Sequence, residues 1–179
     1  GAAIVLLFLI ILAYRVSFNR NQDEELPEHL RNPLPDYPRP EFINYQKVGP
    51  LGAVHEHADI AIYVDGKQID LAPLQYQLRD KFVHVEEARG DVVHKHATGV
   101  TLGYFLSTLG FTTENSCLVI EGQKQCSIQI YVNADRIENY KDYEFVDYDR
   151  ILITNSRNAD QIQAQMDSVT SNAKQFSRK

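Results

Sequence analysis

Val54-His55-Glu56-His57-Ala58-Asp59-Ile60-Ala61-Ile62-Tyr63-Val64-Asp65-Gly66-Lys67 reads as a strand that ends in a tight turn. The run His55 to Val64 ends in Ile60, Ile62, Tyr63 and Val64, the β-branched and aromatic residues that favour a strand. Asp65-Gly66 is a strong two-residue hairpin signal, because both central positions of such a turn need a positive φ. Lys67 to Leu71 is the expected return strand. Successive strand residues point to opposite faces, so His55, His57 and Asp59 fall on one side. Two imidazoles and a carboxylate aligned in this way suggest a metal.

Working outward, Pro73 to Asp80 reads as a loop, and Lys81 to Glu87 and Val92 to Ala97 as a second hairpin around Arg89-Gly90. A three-residue loop there sets His84 opposite His94, whereas a two-residue turn sets it opposite Lys95. Thr98 is the expected N-cap of a helix with Leu102, Phe105, Leu106 and Leu109 as its apolar stripe and Gly110 as its stop. Ser116 to Cys126 reads as a third hairpin around Glu121-Gly122, with a second strand that runs on to Val132. Ile130-Tyr131-Val132-Asn133-Ala134-Asp135-Arg136-Ile137-Glu138 echoes Ile62 to Asp70, as two hairpins with similar turn needs would. Asp149 to Thr154 is a last strand, and Ala159 to Phe176 a final helix whose thin stripe of Ile162, Met166 and Val169 suits a peripheral or partner-facing position. Strands, one central helix and further strands give an α+β domain of β-grasp-like order, with a β-sandwich as the alternative.

His55 to His96 hold five of the six histidines, as two H-x-H pairs (His55/His57 and His94/His96) and His84 two residues before Glu86. Each pair shares a strand face. If the three segments lie side by side, three to five imidazoles converge, a donor set suited to copper or zinc. The expected ligands are His55, His57, His84, His94 and His96, with Asp59 and Glu86 as further ligands or as acceptors that orient an imidazole N–H. One site or two are both open. Lys95, between two ligands, should face away, and His29 lies in a separate stretch.

The chain has 179 residues, 44% of them hydrophobic, and a net charge of −6. That allows one domain with appendages and offers no basic stripe for nucleic acid. Ala2 to Ala13 is almost wholly aliphatic. Residues 2–16 are therefore expected to lie in the lipid bilayer as a single-pass anchor (1–18), with the remainder extracytoplasmic. Twelve aliphatic residues fall short of the roughly 20 of a spanning helix, and a cleaved signal peptide is the competing reading. Six of the seven prolines fall between Pro27 and Pro50, marking 19–53 as a stiff linker before a metal-binding domain at 54–155 and a tail at 156–179. Cys117 and Cys126 fall opposite each other beside the Glu121-Gly122 turn, at a non-hydrogen-bonded pair with a Cα separation of about 4.5 Å, within disulfide range. A bridge fits an oxidising compartment.

V-H-E-H-A-D-I, I-Y-V-D-G-K, F-V-H-V-E and H-K-H-A-T-G-V-T-L-G-Y-F together resemble a family of membrane-anchored proteins associated with ammonia-oxidising archaea and some small-genome bacteria. The resemblance spans roughly residues 54–154. It implies a shared metal-site scaffold and, given the copper-dependent membrane metabolism of such archaea, a place beside a copper enzyme such as ammonia monooxygenase. Some relatives are labelled protein-disulfide isomerases, but this chain has no C-x-x-C to support that chemistry. Three functions compete. The first is a metal carrier or accessory subunit working with other membrane proteins. The second is an enzyme whose three-histidine centre activates water, with Glu86 or Asp59 as base. The third is a structural subunit.

Overall fold

Ala58, Ile60, Ala61 and Ile62 are all buried, so both faces of this run are covered, and it forms the middle of β1 (Glu56–Val64). A strand apolar on successive residues is stable only between two covered faces. The computed structural model describes residues 47–114 and 117–176. The expected anchor at 2–16, His29 and the linker as far as 46 lie outside the described residues. Among the described residues, no helix is long and apolar enough to cross a membrane.

On one edge β1 pairs in parallel with β10 (Arg150–Thr154), from Asp59 opposite Arg150 to Tyr63 opposite Thr154. On its other edge, antiparallel partners share its length. β4 (Val92–Lys95) pairs with Glu56 to Asp59, and β2 (Lys67–Gln68) with Tyr63 and Val64. β3 (Val83–His84) lies outside β4. β8 (Gln129–Val132) and β9 (Asp135–Ile137) complete the far side beyond β10. A separate small sheet holds β5 (Thr112–Glu114), β6 (Cys117–Ile120) and β7 (Gln123–Gln125). With α1 (Leu102–Thr108), a 3-10 turn at Tyr140–Asp142, α2 (Ala159–Ser168) and α3 (Ala173–Phe176), the domain is α+β.

Alternation along β1 divides the interior. Ala58, Ile60 and Ile62 join Phe105, Leu106, Val93, Ile151 and Phe145 in the main core on the side of α1. Ala61 and Tyr63 turn the other way and meet Leu152, Ile162, Met166 and Val169. The sparse stripe of the last helix thus packs on the back of the domain's own sheet. Arg150, at the start of β10, strengthens that contact. Its guanidinium donates to the carbonyls of Met166 (3.1 Å), Val169 and Thr170 (3.1 Å), at and just beyond the end of α2. The helix stops there, at Val169, instead of running through to Phe176.

Several local expectations hold. The turns Asp65-Gly66 and Glu121-Gly122 have positive φ at both residues, and Asn133-Ala134 adopts the same form at φ 53° and 75°. The two echoing segments are therefore both hairpins. β6 and β7 pair as Leu118–Gln125, Val119–Lys124 and Ile120–Gln123, and the Cys117–Cys126 disulfide closes the next pair with Cα atoms 4.2 Å apart. Gly110 (φ 79°) ends α1 in a Schellman arrangement, with Gly110 N donating to Ser107 O and Phe111 N to Leu106 O.

Others are corrected. Thr101, not Thr98, caps α1, its hydroxyl accepting from Tyr104 N at 3.1 Å. The third hairpin does not run through to Val132. Ser127 (φ 61°) breaks the chain between β7 and β8, which belong to different sheets. In the second hairpin, the left-handed residues are Glu87 and Ala88. Gly90 is there for space, since a Cβ on it would sit 2.6 Å from Ala72 N. Residues 47–53 also belong to the fold, because Gly49 N donates to Thr98 O (2.9 Å) and Gly52 N to His96 O (2.7 Å).

Candidate metal centre

The registers of three strands assemble the histidines. His94 on β4 lies opposite His57 on β1 and opposite His84 on β3, so one row across the sheet carries three imidazoles. The second hairpin has therefore taken the register that pairs His84 with His94. His55 and His96 flank this row at the same end. Ring centroids lie 4.6 Å apart for His55/His57 and for His57/His94, 4.9 Å for His55/His96, 5.0 Å for His84/His96 and 5.9 Å for His84/His94. All five histidines form one cluster. His55, His57 and His94 each offer a ligand atom within 4.8 Å of the other two, so this group can hold a metal ion.

Most of the cluster is buried. His57, His84, His94 and His96 are at most 8% exposed, and His55 alone faces solvent. Burial, reinforced by the charge of His55, lowers the His57 pKa from 6.5 to about 4. Burial lowers His94 and His96 to about 3, with Glu86 opposing and the neighbouring imidazoles assisting. These rings stay neutral well into the acid range, which is the form that ligates metals. Among the described residues, His96 Nε2 is buried with no hydrogen-bond partner. Buried polar atoms in native proteins almost always have a partner, so such an atom calls for an explanation.

Glu86 reaches the cluster from the end of the second hairpin, with Oε1 3.3 Å from His94 Nδ1 and Oε2 3.5 Å from His84 Nε2. Of the two expected carboxylates it is the one that joins the histidines. Asp59 shares their face but is committed elsewhere. Its carboxylate accepts from the Asn172 amide (2.7 Å), the Ala173 amide (3.2 Å) and the Thr170 hydroxyl, at the start of α3. Alternation identified the face but not how far along it the acidic side chain would act.

Four contacts had no signal in the strand pattern. Asp147 lies 3.9 Å from His57 Nδ1 and accepts the His57 amide at 2.8 Å. The Asp80 carbonyl is 2.8 Å from His84 Nδ1. Phe176, carried in by α3, stacks on His57 (5.5 Å between centroids) and meets His94 edge-on (5.0 Å), and the Arg89 guanidinium lies 5.4 Å from the Phe176 ring centre. An aromatic ring from the C-terminal segment therefore covers one side of the cluster. Only the acidic, tyrosine-rich stretch before Asp149 hinted at Asp147.

Lys95 points to the opposite face, as the alternation requires, but it is not solvated. Its ammonium lies 2.6 Å from Glu56 Oε2, 2.6 Å from the Phe145 carbonyl and 3.4 Å from Glu144 Oε1, and the residue is 1% exposed.

Comparison of the chain with protein-family models, with curated proteins and with solved structures gave no match.

Proposed function

We propose that this is a metal-binding protein whose histidine cluster takes copper or zinc. More particularly, we read it as a membrane-anchored, extracytoplasmic accessory subunit or metal carrier that works beside a membrane enzyme such as a copper-dependent ammonia monooxygenase. The observation that carries the metal reading is the convergence of five imidazoles, three on adjacent strands and two just beyond strand ends, four of them buried. Burying that many polar rings costs free energy, which coordinate bonds repay. Imidazole and carboxylate donors suit Zn²⁺ and Cu²⁺ rather than the hard ions Mg²⁺ and Ca²⁺.

The compartment rests on the aliphatic run at residues 2–13, the proline-rich stretch that follows it and the Cys117–Cys126 bridge. A carrier is favoured over a water-activating enzyme because both Glu86 oxygens face imidazoles. That is the place of a ligand or an orienting acceptor, not of a general base. A β-grasp-like element order is supported by the parallel pairing of β1 with β10, each with a hairpin on its outer side. That order has no bearing on function.

The test is metal analysis of chelator-stripped protein reloaded with Zn²⁺ or Cu²⁺ and freed of excess ion. The parent should retain at least one ion per chain, and the His57→Ala/His94→Ala double variant should retain less. Equal metal content in the two proteins, or none in the parent, would refute the reading.

A further inference from the structure

We infer that Thr170 to Phe176 form a clasp that gates exchange of the metal ion held by His55, His57 and His94, with Asp59 and Asp91 as its catch. The inference rests on the metal reading above and adds to it how ions enter and leave the site.

His57 and Asp59 share one face of β1, about 7 Å apart along the strand. α3 is a single helical turn that rises about 4.5 Å from Ala173 to Phe176, so it spans most of the way from the carboxylate to the imidazole. Its near end is held at Asp59, which accepts from the Asn172 amide at 2.7 Å, the Ala173 amide at 3.2 Å and the Thr170 hydroxyl. Asp91, just ahead of β4, accepts from Asn172 Nδ2 at 2.7 Å. The far end lays Phe176 on His57 and His94. Arg89 connects the two ends. It pairs with Asp91 through two bonds of 3.2 Å, and its guanidinium lies 5.4 Å from the Phe176 ring centre.

The way this segment is attached makes it a moving part. Upstream, the chain is fixed: Val169 is buried against the back of the sheet, and Arg150 holds the Val169 and Thr170 carbonyls. Beyond that point the ties are polar bonds to two carboxylates and one aromatic ring. Ala173 is the only fully buried residue, and Ser171, Lys174 and Gln175 are exposed. A segment with so little apolar burial opens locally at far less cost than the strands beneath it. Closed, it covers His57 and His94, which are buried, while His55 faces solvent. Opening uncovers both rings at once, so the catch sets the rate of exchange without supplying a ligand.

The experiment weakens the catch and leaves the histidines alone. Thr170→Val/Asn172→Ala removes two donors to the carboxylates, and Lys174→Ala, on the exposed side of the clasp, is the control. In metal-free full-length protein, the Ala173 amide should exchange hydrogen about 10-fold faster in the double variant, the effect of losing one hydrogen bond to a charged acceptor. Amides of β1 and β10 should be unchanged. After loading with Zn²⁺, both proteins should retain the same metal content, and excess chelator should extract it about 10-fold faster from the double variant. Lys174→Ala should match the parent in both measurements. Asn172→Ala alone should move both rates in the same direction, and it decides the matter if the double variant does not fold. Faster amide exchange with unchanged zinc release would overturn the gate and leave the metal reading standing. An Ala173 amide that exchanges only together with β1 would also overturn it, since the segment would not open by itself. A parent that retains no zinc would overturn both readings.

Discussion

Lys95→Met tests the division of the sheet into a histidine face and a structural face. Lys95 is on β4 between His94 and His96, opposite Glu56, and is 1% exposed. Methionine keeps the length of the stem, so the cavity contribution is small. What disappears is the ammonium. The Phe145 carbonyl, now 2.6 Å from Nζ, would lose a buried donor, at a cost of about 1–3 kcal/mol. The Glu56 pair adds about 1 kcal/mol, discounted because a quarter of that side chain is exposed, and Glu144, more exposed still, adds little. The sum is about 2–4 kcal/mol. For a domain of this size that lowers Tm by roughly 10 °C. Thermal unfolding by circular dichroism measures the loss, and metal analysis at a temperature where both proteins are folded should give equal stoichiometry. An unchanged Tm would mean that the buried ammonium is not held as described. A folded variant that lost metal would show that Lys95 serves the histidine face after all.

Phe176→Ala should leave stoichiometry unchanged but speed extraction of metal by a chelator by about 2- to 10-fold, the value of aromatic pairs such as those it makes with His57 and His94; equal rates would remove its covering role. Replacing Cys117 and Cys126 by Ser should cost about 2–3 kcal/mol in urea unfolding, from the short loop that the bridge closes, and no loss would mean the bridge adds no stability. Ala134→Gly should stabilise the protein by about 0.5–1 kcal/mol, because Ala134 holds φ 75° in a position that favours glycine; a lower denaturation midpoint would contradict this. In metal-free protein, stability should fall with pH. The unfolded chain protonates His57, His94 and His96 near 6.5, whereas the folded chain resists until about 3–4. The unfolded state thus binds more protons in that window, so stability is greatest above about pH 6.5 and declines below it. A urea midpoint that is flat between pH 7 and 5 would count against this.

Local chemistry made much of this protein legible in its sequence. Asp65-Gly66 and Glu121-Gly122 need a left-handed backbone at two successive residues, so the turns, the hairpin registers beside them and the Cys117–Cys126 bridge follow from nearest neighbours. The period of two placed His55 with His57, His94 with His96, and Lys95 behind them. Tertiary packing decided the rest. His57, His84 and His94 meet in one row because β4 lies between β1 and β3, and strand order depends on which apolar faces bury each other across the whole chain. The same long-range packing folds the last helix back on the sheet, ties Asp59 to the start of α3 and brings Phe176 over His57 from more than a hundred residues away in the chain. Alternation names a face, but it cannot say which distant segment will cover that face or which acid there will be spent on a helix end. The donors are therefore written in the sequence. The centre they form exists only in the folded sheet, because coordination depends on distances of a few ångströms and those are set by non-local contacts.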